Sequence, residues 1–226
     1  MDDLATELED RGDRVRFAIA TADPVAGECL AHMGYLPAGP GRYATRWFTP
    51  DARRLYDRFA ASIGPMVRQC ARLEPAPWQD ALLEALRRLC GAGFGWWLYG
   101  TAALAVRGIA VAPGDVDLHV DDPFAAGLLF DDVLVTPVER LDGWAAAYVG
   151  RAFDGAVVEW LAAPHAALDD PDDPQEQGPF VADRIETVRW RGVDIPVPPL
   201  SAQLRSCERR GLTERAALVR AAMRDG

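Results

Sequence analysis

Hydrophobic residues follow two different spacings along this chain. In short segments such as 14–20 and 115–120, apolar and polar residues alternate, which is typical of strands buried on one face. Between residues 49 and 73, apolar side chains recur every three to four positions, which predicts an amphipathic helix. The two patterns together predict an α/β (α+β) fold in which a small mixed sheet is backed by helices.

The predicted elements fall into two groups, separated by the sequence Pro-Ala-Pro at 75–77. The first group, in residues 1–75, consists of strands at 14–20 and 41–48 and helices at 22–35 and from about 50 onward. The second group, in residues 76–226, consists of a helix near 78–90, strands at 94–99, 115–120, 144–153 and 156–162, helices at 101–108 and 122–134, a hairpin over 184–199, and helices at about 200–209 and 212–224. We therefore expect an N-terminal extension of unknown role, followed by a main domain with a C-terminal helical tail.

Local signals refine these elements at their ends. Asp23, Thr49 and Asp122 each stand directly before a proline at the start of a predicted helix, so we expect them to be N-caps. The acidic segment 165–178 is interrupted by prolines, which predicts a mobile loop.

Composition places the chain among globular proteins. With 226 residues it can bury a sizeable core, and no apolar run reaches the 18 residues of a membrane span. The acidic start lacks the basic and apolar stretches of a secretory signal. We expect a cytoplasmic protein whose four scattered cysteines are reduced.

The formal net charge of −10 limits the classes of partner. Nucleic-acid binding depends on basic surface that releases phosphate counterions, so this charge argues against DNA or RNA. It is compatible with a cationic small molecule. All 24 basic residues are arginine, which excludes a Schiff-base lysine and a P-loop lysine, and no spacing of cysteine and histidine matches a zinc site.

Three acidic residues are the candidate catalytic and metal-binding groups. Asp115 and Asp117 stand two apart on a predicted strand, so both side chains point to the same side, where their charges repel unless a cation lies between them. Glu159 lies in another apolar strand, where a charge is costly unless it is paired or binds a metal. Mg²⁺ suits such carboxylates because it is usually held by one or two of them together with substrate phosphates.

A glycine turn precedes the aspartate pair and is a candidate phosphate site. Gly100 ends a predicted strand and Thr101 opens a helix, and helix N-termini favour phosphate because their N–H groups are free. Arg107 follows six residues after Thr101. It can reach a triphosphate, or it can instead bind the carbonyl groups at the end of the helix.

The segment 97–120, WLYGTAALAVRGIAVAPGDVDLHV, resembles the signature of the DNA polymerase β-type nucleotidyltransferase superfamily. In that signature a glycine and a small residue are followed, about a dozen positions later, by an aspartate, an apolar residue and an acid. The tail from Ile195 resembles the Pro-Leu and two-helix ending of the family. The resemblance covers about 95–224 and is nearest to small bacterial aminoglycoside and lincosamide nucleotidyltransferases and to minimal members of toxin–antitoxin pairs.

The resemblance implies a role for each matched residue. Gly100 and Thr101 match the turn that holds phosphate, and Asp115 and Asp117 match the pair that binds two Mg²⁺ ions. Glu159 matches the third acid, which completes the metal site and accepts the proton of the acceptor hydroxyl. The chain departs from the family pattern at Thr101, at the longer Glu159 and in a tail without lysine, for which the candidate substitutes are Arg205, Arg209 and Arg210.

The expected function is transfer of a nucleoside monophosphate from an NTP to a hydroxyl of a small molecule, with release of pyrophosphate. An aminoglycoside-like antibiotic would suit the acidic composition. One alternative is a toxin-type nucleotidyltransferase that modifies tRNA or a protein, of which the composition disfavours tRNA. The other is a nucleotide-binding module without catalysis. The acceptor, the preferred NTP and the oligomeric state are left open by the sequence.

Overall fold

The computed structural model describes residues 4–141, 146–164 and 184–225. The predicted loop at 165–178 lies outside these ranges. The strands are β1 (Ala5–Asp10), β2 (Val15–Ala20), β3 (Leu36–Gly39), β4 (Arg42–Ala44), β5 (Trp96–Tyr99), β6 (Asp115–Val120), β7 (Leu134–Arg140), β8 (Ala146–Asp154), β9 (Ala156–Pro164), β10 (Glu186–Trp190) and β11 (Val193–Val197). The helices are α1 (Pro24–His32), α2 (Tyr56–Cys70), α3 (Trp78–Leu89), α4 (Gly100–Ala105), α5 (Pro123–Leu129), α6 (Leu200–Arg209) and α7 (Thr213–Asp225). This content confirms the α/β (α+β) class.

The main sheet carries the predicted acidic strands. Its order is β5-β6-β9-β8-β7, with β6 and β9 parallel and every other pair antiparallel. One face of β6 and β9 is apolar and packs against α3 and α5. Trp160 lies fully buried on this face, where it stacks on Phe130 and donates a hydrogen bond from Nε1 to the Pro123 carbonyl at 3.2 Å.

The N-terminal unit, which we define as β1 to α2, forms a second sheet of order β1-β2-β4-β3. β1 is an edge strand that the acidic, polar start of the chain did not predict. Phe17 of β2 packs against Phe48, Tyr56 and Phe59, which joins this sheet to α2. Because α2 also packs against β7 and β9, the apolar core is continuous across the predicted boundary at 75/76.

The predicted helix caps had mixed outcomes. The side chain of Asp23 accepts hydrogen bonds at the start of α1, and that of Asp122 does so at the start of α5, as predicted. The prediction for Thr49 was wrong: its hydroxyl donates to the Asp51 carboxylate instead, and the chain enters α2 through a 3₁₀ turn at Pro50–Leu55. None of the described helices is both long and apolar enough to cross a membrane.

Candidate active site

β6 carries two carboxylates on the face opposite its apolar side chains. Val116, Leu118 and Val120 are fully buried in the core. Asp115 and Asp117 alternate with them and are half-buried on the other face. The alternation that was visible in the sequence therefore fixes both the strand and the side to which its acids point.

β9 brings the third acid beside this pair. In the parallel register of β6 and β9, Asp117 is paired with Glu159, so the two side chains leave the sheet on the same face. Asp115, Asp117 and Glu159 all line one cavity of about 270 Å³. The structure thus brings together the three acids that the sequence singled out.

The glycine turn lies against the same carboxylates. Gly100 begins α4 with a φ of +67°, a conformation that disfavours any residue with a Cβ. A Cβ at this position would also fall well inside contact distance of Asp117 Oδ2. Gly100 and Thr101 both line the cavity. Only glycine lets the backbone approach the aspartate this closely.

The cavity lining contains more arginine than acid. Arg72, Arg151, Arg210 and Arg215 line it together with the three carboxylates and His32. Two of these arginines, Arg210 and Arg215, stand where α6 leads into α7. The expected tail cation Arg210 therefore reaches the cavity, whereas Arg205 and Arg209 are not among the lining residues.

Burial and mutual repulsion shift the titration of the aspartates. Burial, followed by the charges of Asp115 and Glu159, raises the pKa of Asp117 well above its usual range. Burial and Glu159 also raise the pKa of Asp115, although His32 and Arg72 oppose this effect. Both aspartates are therefore costly to ionise unless a cation joins them.

Glu159 is held by an arginine that the sequence did not suggest. Arg151 lies directly opposite Glu159 in the antiparallel register of β8 and β9. Its Nε and Nη2 atoms donate to Glu159 Oε2 at 2.8 and 2.5 Å. Both bonds use the same oxygen, so Oε1 is the oxygen available to a ligand in the cavity.

The N-terminal unit completes the support of Arg151. Nη2 also donates to the Met33 carbonyl at 2.7 Å, just beyond α1, and the guanidinium carbon lies 5.7 Å from the centre of the Tyr35 ring. Burial by itself would lower the pKa of Arg151, but Glu159 and Tyr35 raise it above its usual range. Arg151 is therefore a permanent cation that ties Glu159 to the N-terminal unit.

Two glutamines in the lining have buried polar atoms without a partner among the described residues. Gln69 of α2 donates from Nε2 to the Gly155 carbonyl at 2.7 Å, but its Oε1 accepts no hydrogen bond. Gln203 of α6 has an unpartnered Nε2. Gln69 and Gln203 are only 7% and 4% exposed. Each unpaired polar atom therefore lowers the stability of the fold unless a ligand forms a hydrogen bond with it.

The three acids do not form a ready-made metal cluster. Within the described ranges, no group of three or more histidine, cysteine, aspartate or glutamate side chains is arranged to hold an ion. The bonds from Arg151 occupy Glu159 Oε2, which leaves Oε1 as the oxygen of this carboxylate that a ligand could use. An ion at this position would have to draw further ligands from substrate and water, as Mg²⁺ commonly does.

The structure does not bring Arg107 into the cavity. Its Nη2 donates to Glu186 at 2.6 Å and to the Pro198 carbonyl at 2.9 Å, and it is absent from the lining. Arg107 therefore joins the end of α4 to the β10–β11 hairpin, rather than binding the carbonyl groups at the end of its own helix. Its contact with a nucleotide stays a prediction.

Comparison with known proteins yields two structural likenesses and no relatives by sequence. No family model and no curated protein matches the chain. A candidate nucleotidyltransferase from Thermotoga maritima is similar, with 20% identity and a TM-score of 0.48 over 66% of this chain and 93% of its own. The antibiotic-resistance factor ANT(2″)-Ia is also similar, with 15% identity and a TM-score of 0.38 over 65% of this chain and 90% of its own. Both scores lie below 0.5, so the functional proposal rests on the cavity and its residues.

Proposed function

We propose that this protein is a metal-dependent nucleotidyltransferase, which moves a nucleoside monophosphate from an NTP to a hydroxyl of a small molecule and releases pyrophosphate. The observation that carries the proposal is the meeting of Asp115, Asp117 and Glu159 in one cavity beneath the turn at Gly100. Two carboxylates that repel each other beside a close backbone turn suit a metal-bound triphosphate.

The donor set fits magnesium. Asp115 and Asp117 offer carboxylate oxygens only, which are the ligands that Mg²⁺ prefers. Burial together with the charges of the neighbouring acids raises the pKa of both aspartates, and a divalent cation would relieve that repulsion. We assign the two magnesium ions of the reaction to these residues; when bound, they would neutralise charge on the phosphates.

The side chains and backbone of the cavity then have separate roles in binding the phosphates and activating the acceptor. Gly100 and Thr101 steady the phosphates, and Arg210 and Arg215 offset their negative charge from the side of the tail helices. Glu159, held through Oε2 by Arg151, presents Oε1 to the acceptor hydroxyl and accepts its proton. The hydroxyl oxygen bonds to the α-phosphorus as the bond from that phosphorus to the bridging oxygen breaks, and pyrophosphate leaves with the bonding electrons.

The test combines calorimetry with label transfer. We expect wild-type protein to bind ATP or GTP only when Mg²⁺ is present, and to transfer label from an α-³²P-labelled NTP to an acceptor. Asp117→Asn keeps the size of the side chain but removes its charge, so it should weaken magnesium-dependent binding by more than about tenfold and abolish transfer. Asp121→Asn is the matched control, because Asp121 follows the same strand but does not line the cavity.

Two outcomes would contradict the proposal. The first is a wild-type protein that binds no NTP in the presence of magnesium. The second is an Asp117→Asn protein that binds and transfers like wild type. Binding without transfer to any small molecule, tRNA or protein would favour the non-catalytic binding module.

A further inference from the structure

The N-terminal unit forms one wall of the cavity, a contribution that the sequence left without a role. The residues it supplies to the lining are His32 and Met33 at the end of α1, and Met66, Gln69, Cys70 and Arg72 on or just beyond α2. This wall, which we call the α1–α2 wall, is joined to the carboxylates through the bond from Arg151 to the Met33 carbonyl.

The two aspartates face different walls. A Cβ added at Gly114, the residue before Asp115, would lie 3.9 Å from the guanidinium of Arg72 on the α1–α2 wall. A Cβ added at Gly100 would instead meet Asp117 Oδ2. If the triphosphate lies by Gly100 and the tail helices, as the proposed function requires, the Asp115 side is left for the acceptor.

The α1–α2 wall offers a hydrogen-bond acceptor and an unneutralised cation. Oε1 of Gln69 is buried without a partner among the described residues. A ligand that carries a hydrogen-bond donor would satisfy this oxygen. The Arg72 side chain makes one hydrogen bond, from Nη1 to the Ala112 carbonyl at 3.2 Å, and no carboxylate in the described part of the chain lies within ion-pair distance of it. Arg72 is exposed at the cavity rim, where an incoming ligand can reach it.

The charges of the lining decide what kind of acceptor this wall favours. Arg151 is already paired with Glu159, and the proposed function assigns Asp115 and Asp117 to magnesium. Among the lining residues that leaves no acid to balance Arg72. A polycation would gain no partner here and would be repelled by this arginine, whereas a carboxylate or phosphate would form a charge-assisted hydrogen bond with it.

We propose that the α1–α2 wall is the acceptor subsite, and that it takes a small hydroxyl compound bearing an anionic group, which Arg72 binds while Gln69 accepts a hydrogen bond from the compound. The proposal rests on the nucleotidyl transfer proposed above. It gives the N-terminal unit a part in substrate choice, and it replaces the cationic acceptor that the acidic composition had suggested.

A set of three-carbon acceptors of similar size tests this assignment. Transfer from an α-³²P-labelled NTP is measured to glycerol 3-phosphate, to glycerol and to 3-amino-1,2-propanediol, which are anionic, neutral and cationic at pH 7. We expect kcat/KM to fall in that order. Arg72→Gln should reduce the preference for glycerol 3-phosphate over glycerol by about tenfold, with the KM for the NTP unchanged.

Two further arginine-to-glutamine variants serve as controls. Arg68→Gln removes an arginine of α2 that pairs with Glu74 outside the cavity lining, so it should leave all three acceptors unaffected. Arg210→Gln, on the other wall, should raise the KM for the NTP and leave the order of acceptors unchanged.

The results separate the two proposals. A wild-type protein without magnesium-dependent NTP binding contradicts the function itself. A protein that binds Mg·NTP contradicts only the acceptor subsite if it prefers the cationic compound, if it labels none of the three, or if Arg72→Gln leaves its preference unchanged.

Discussion

Gly100 and Asp117 lie so close together that the carboxylate determines which residue can occupy position 100. The positive φ of Gly100 alone disfavours other residues. Gly108 shares that conformation with a φ of +85°, but a Cβ added there would meet no other atom within 4 Å. The two glycines therefore separate the cost of the backbone conformation from the cost of contact with the active-site aspartate.

We expect Gly100→Ala to lower the rate of transfer by about 10²-fold, because the added Cβ displaces Asp117 from its place beside the phosphates. Gly108→Ala should lower the unfolding free energy by about 1–2 kcal/mol, because a residue with a Cβ is disfavoured in this backbone conformation. Its rate of transfer should equal that of wild type. Steady-state kinetics and chemical denaturation on both variants check this. Equal rates in the two variants would show that the contact at Gly100 has no role in catalysis.

Arg151 and Glu159 form an ion pair that is largely removed from water, with side-chain exposures of 16% and 23%. Taking one partner away from such a pair leaves a desolvated charge, so we expect Arg151→Met to lower the unfolding free energy by about 3–5 kcal/mol. Arg189→Met breaks the exposed pair with Asp194 and should cost less than about 1 kcal/mol. Chemical denaturation measures both.

A double variant tests the physical reason for that loss. Replacing Glu159 as well, in Arg151→Met/Glu159→Met, removes the stranded charge and should recover part of the lost stability. A loss in Arg151→Met no larger than in Arg189→Met, or no recovery in the double variant, would show that the pair does not hold Glu159 in place.

At the scale of single elements, the helix starts show how far local sequence signals can be relied on. Asp122 Oδ1 accepts from the backbone N–H groups of Phe124 and Ala125 at 3.1 and 2.9 Å, which satisfies two free donors of α5. Thr49 precedes a proline in the same way but makes no cap bond. The same signal was therefore correct at α1 and α5 and wrong at Thr49.

We expect Asp122→Ala to lower the unfolding free energy by about 1 kcal/mol, since the cap bonds of α5 are lost. Thr49→Ala should cost less than about 0.5 kcal/mol, because it removes no cap. Denaturant titration of the two variants against wild type decides the matter. A Thr49→Ala loss as large as that of Asp122→Ala would mean that Thr49 does cap its helix in solution.

At the scale of the whole molecule, stability should depend on pH through groups outside the proposed metal site. Burial raises the pKa of Glu139 from 4.5 to about 7, because the effect of desolvation is larger than the opposing effect of the positive charges on Arg151 and Arg46. A folded-state pKa above the unfolded value means that the folded protein holds the proton longer. Glu139 therefore lowers stability progressively as pH rises from about 4.5 to about 7.

His119 has the opposite effect over an overlapping range. Burial lowers its pKa from 6.5 to about 4, so in the folded protein it resists protonation. The stability that His119 contributes is fully present above its unfolded-state pKa of 6.5. This stability is lost as the pH falls from about 6.5 to about 4. Because the two effects partly cancel in wild type, a variant is needed to see either one.

We expect Glu139→Gln to be more stable than wild type at pH 8, by up to about 3 kcal/mol, and to lose this advantage at pH 4. Unfolding free energies measured across that range give the difference curve. Glu186→Gln is the control of opposite sign, because its hydrogen bond to Arg107 lowers the pKa of Glu186. A difference curve that is flat with pH would contradict the assigned burial of Glu139.

Much of the fold and part of the site could be predicted from periodicity and turn residues. The alternation in β6 predicted both the strand and the shared side of Asp115 and Asp117, because side chains of a strand alternate whatever surrounds them. The glycine turn and the β10–β11 hairpin followed in the same way from residues with special backbone freedom. These features depend on interactions within a few residues, so the sequence contains them directly.

Arg151 shows what the sequence could not provide. A two-residue turn at Asp154-Gly155 would have placed Gly150 opposite Glu159, whereas the observed register pairs Asp154 with Ala156 and so brings Arg151 to that position. A shift of one residue changes which side chain meets the acid. That choice is made by the packing of both faces of the sheet.

The sequence by itself determined strands such as β2 and β6, the aspartate pair and the glycine beside it, since local periodicity and backbone freedom are enough to specify them. Only the tertiary structure decided that Glu159 is tied to Arg151, that Arg107 turns to Glu186, and that α1 and α2 form a wall of the cavity. These contacts join residues that lie far apart in the chain or depend on strand register, and their energies come from burial and charge pairing, which arise only when the whole chain has packed.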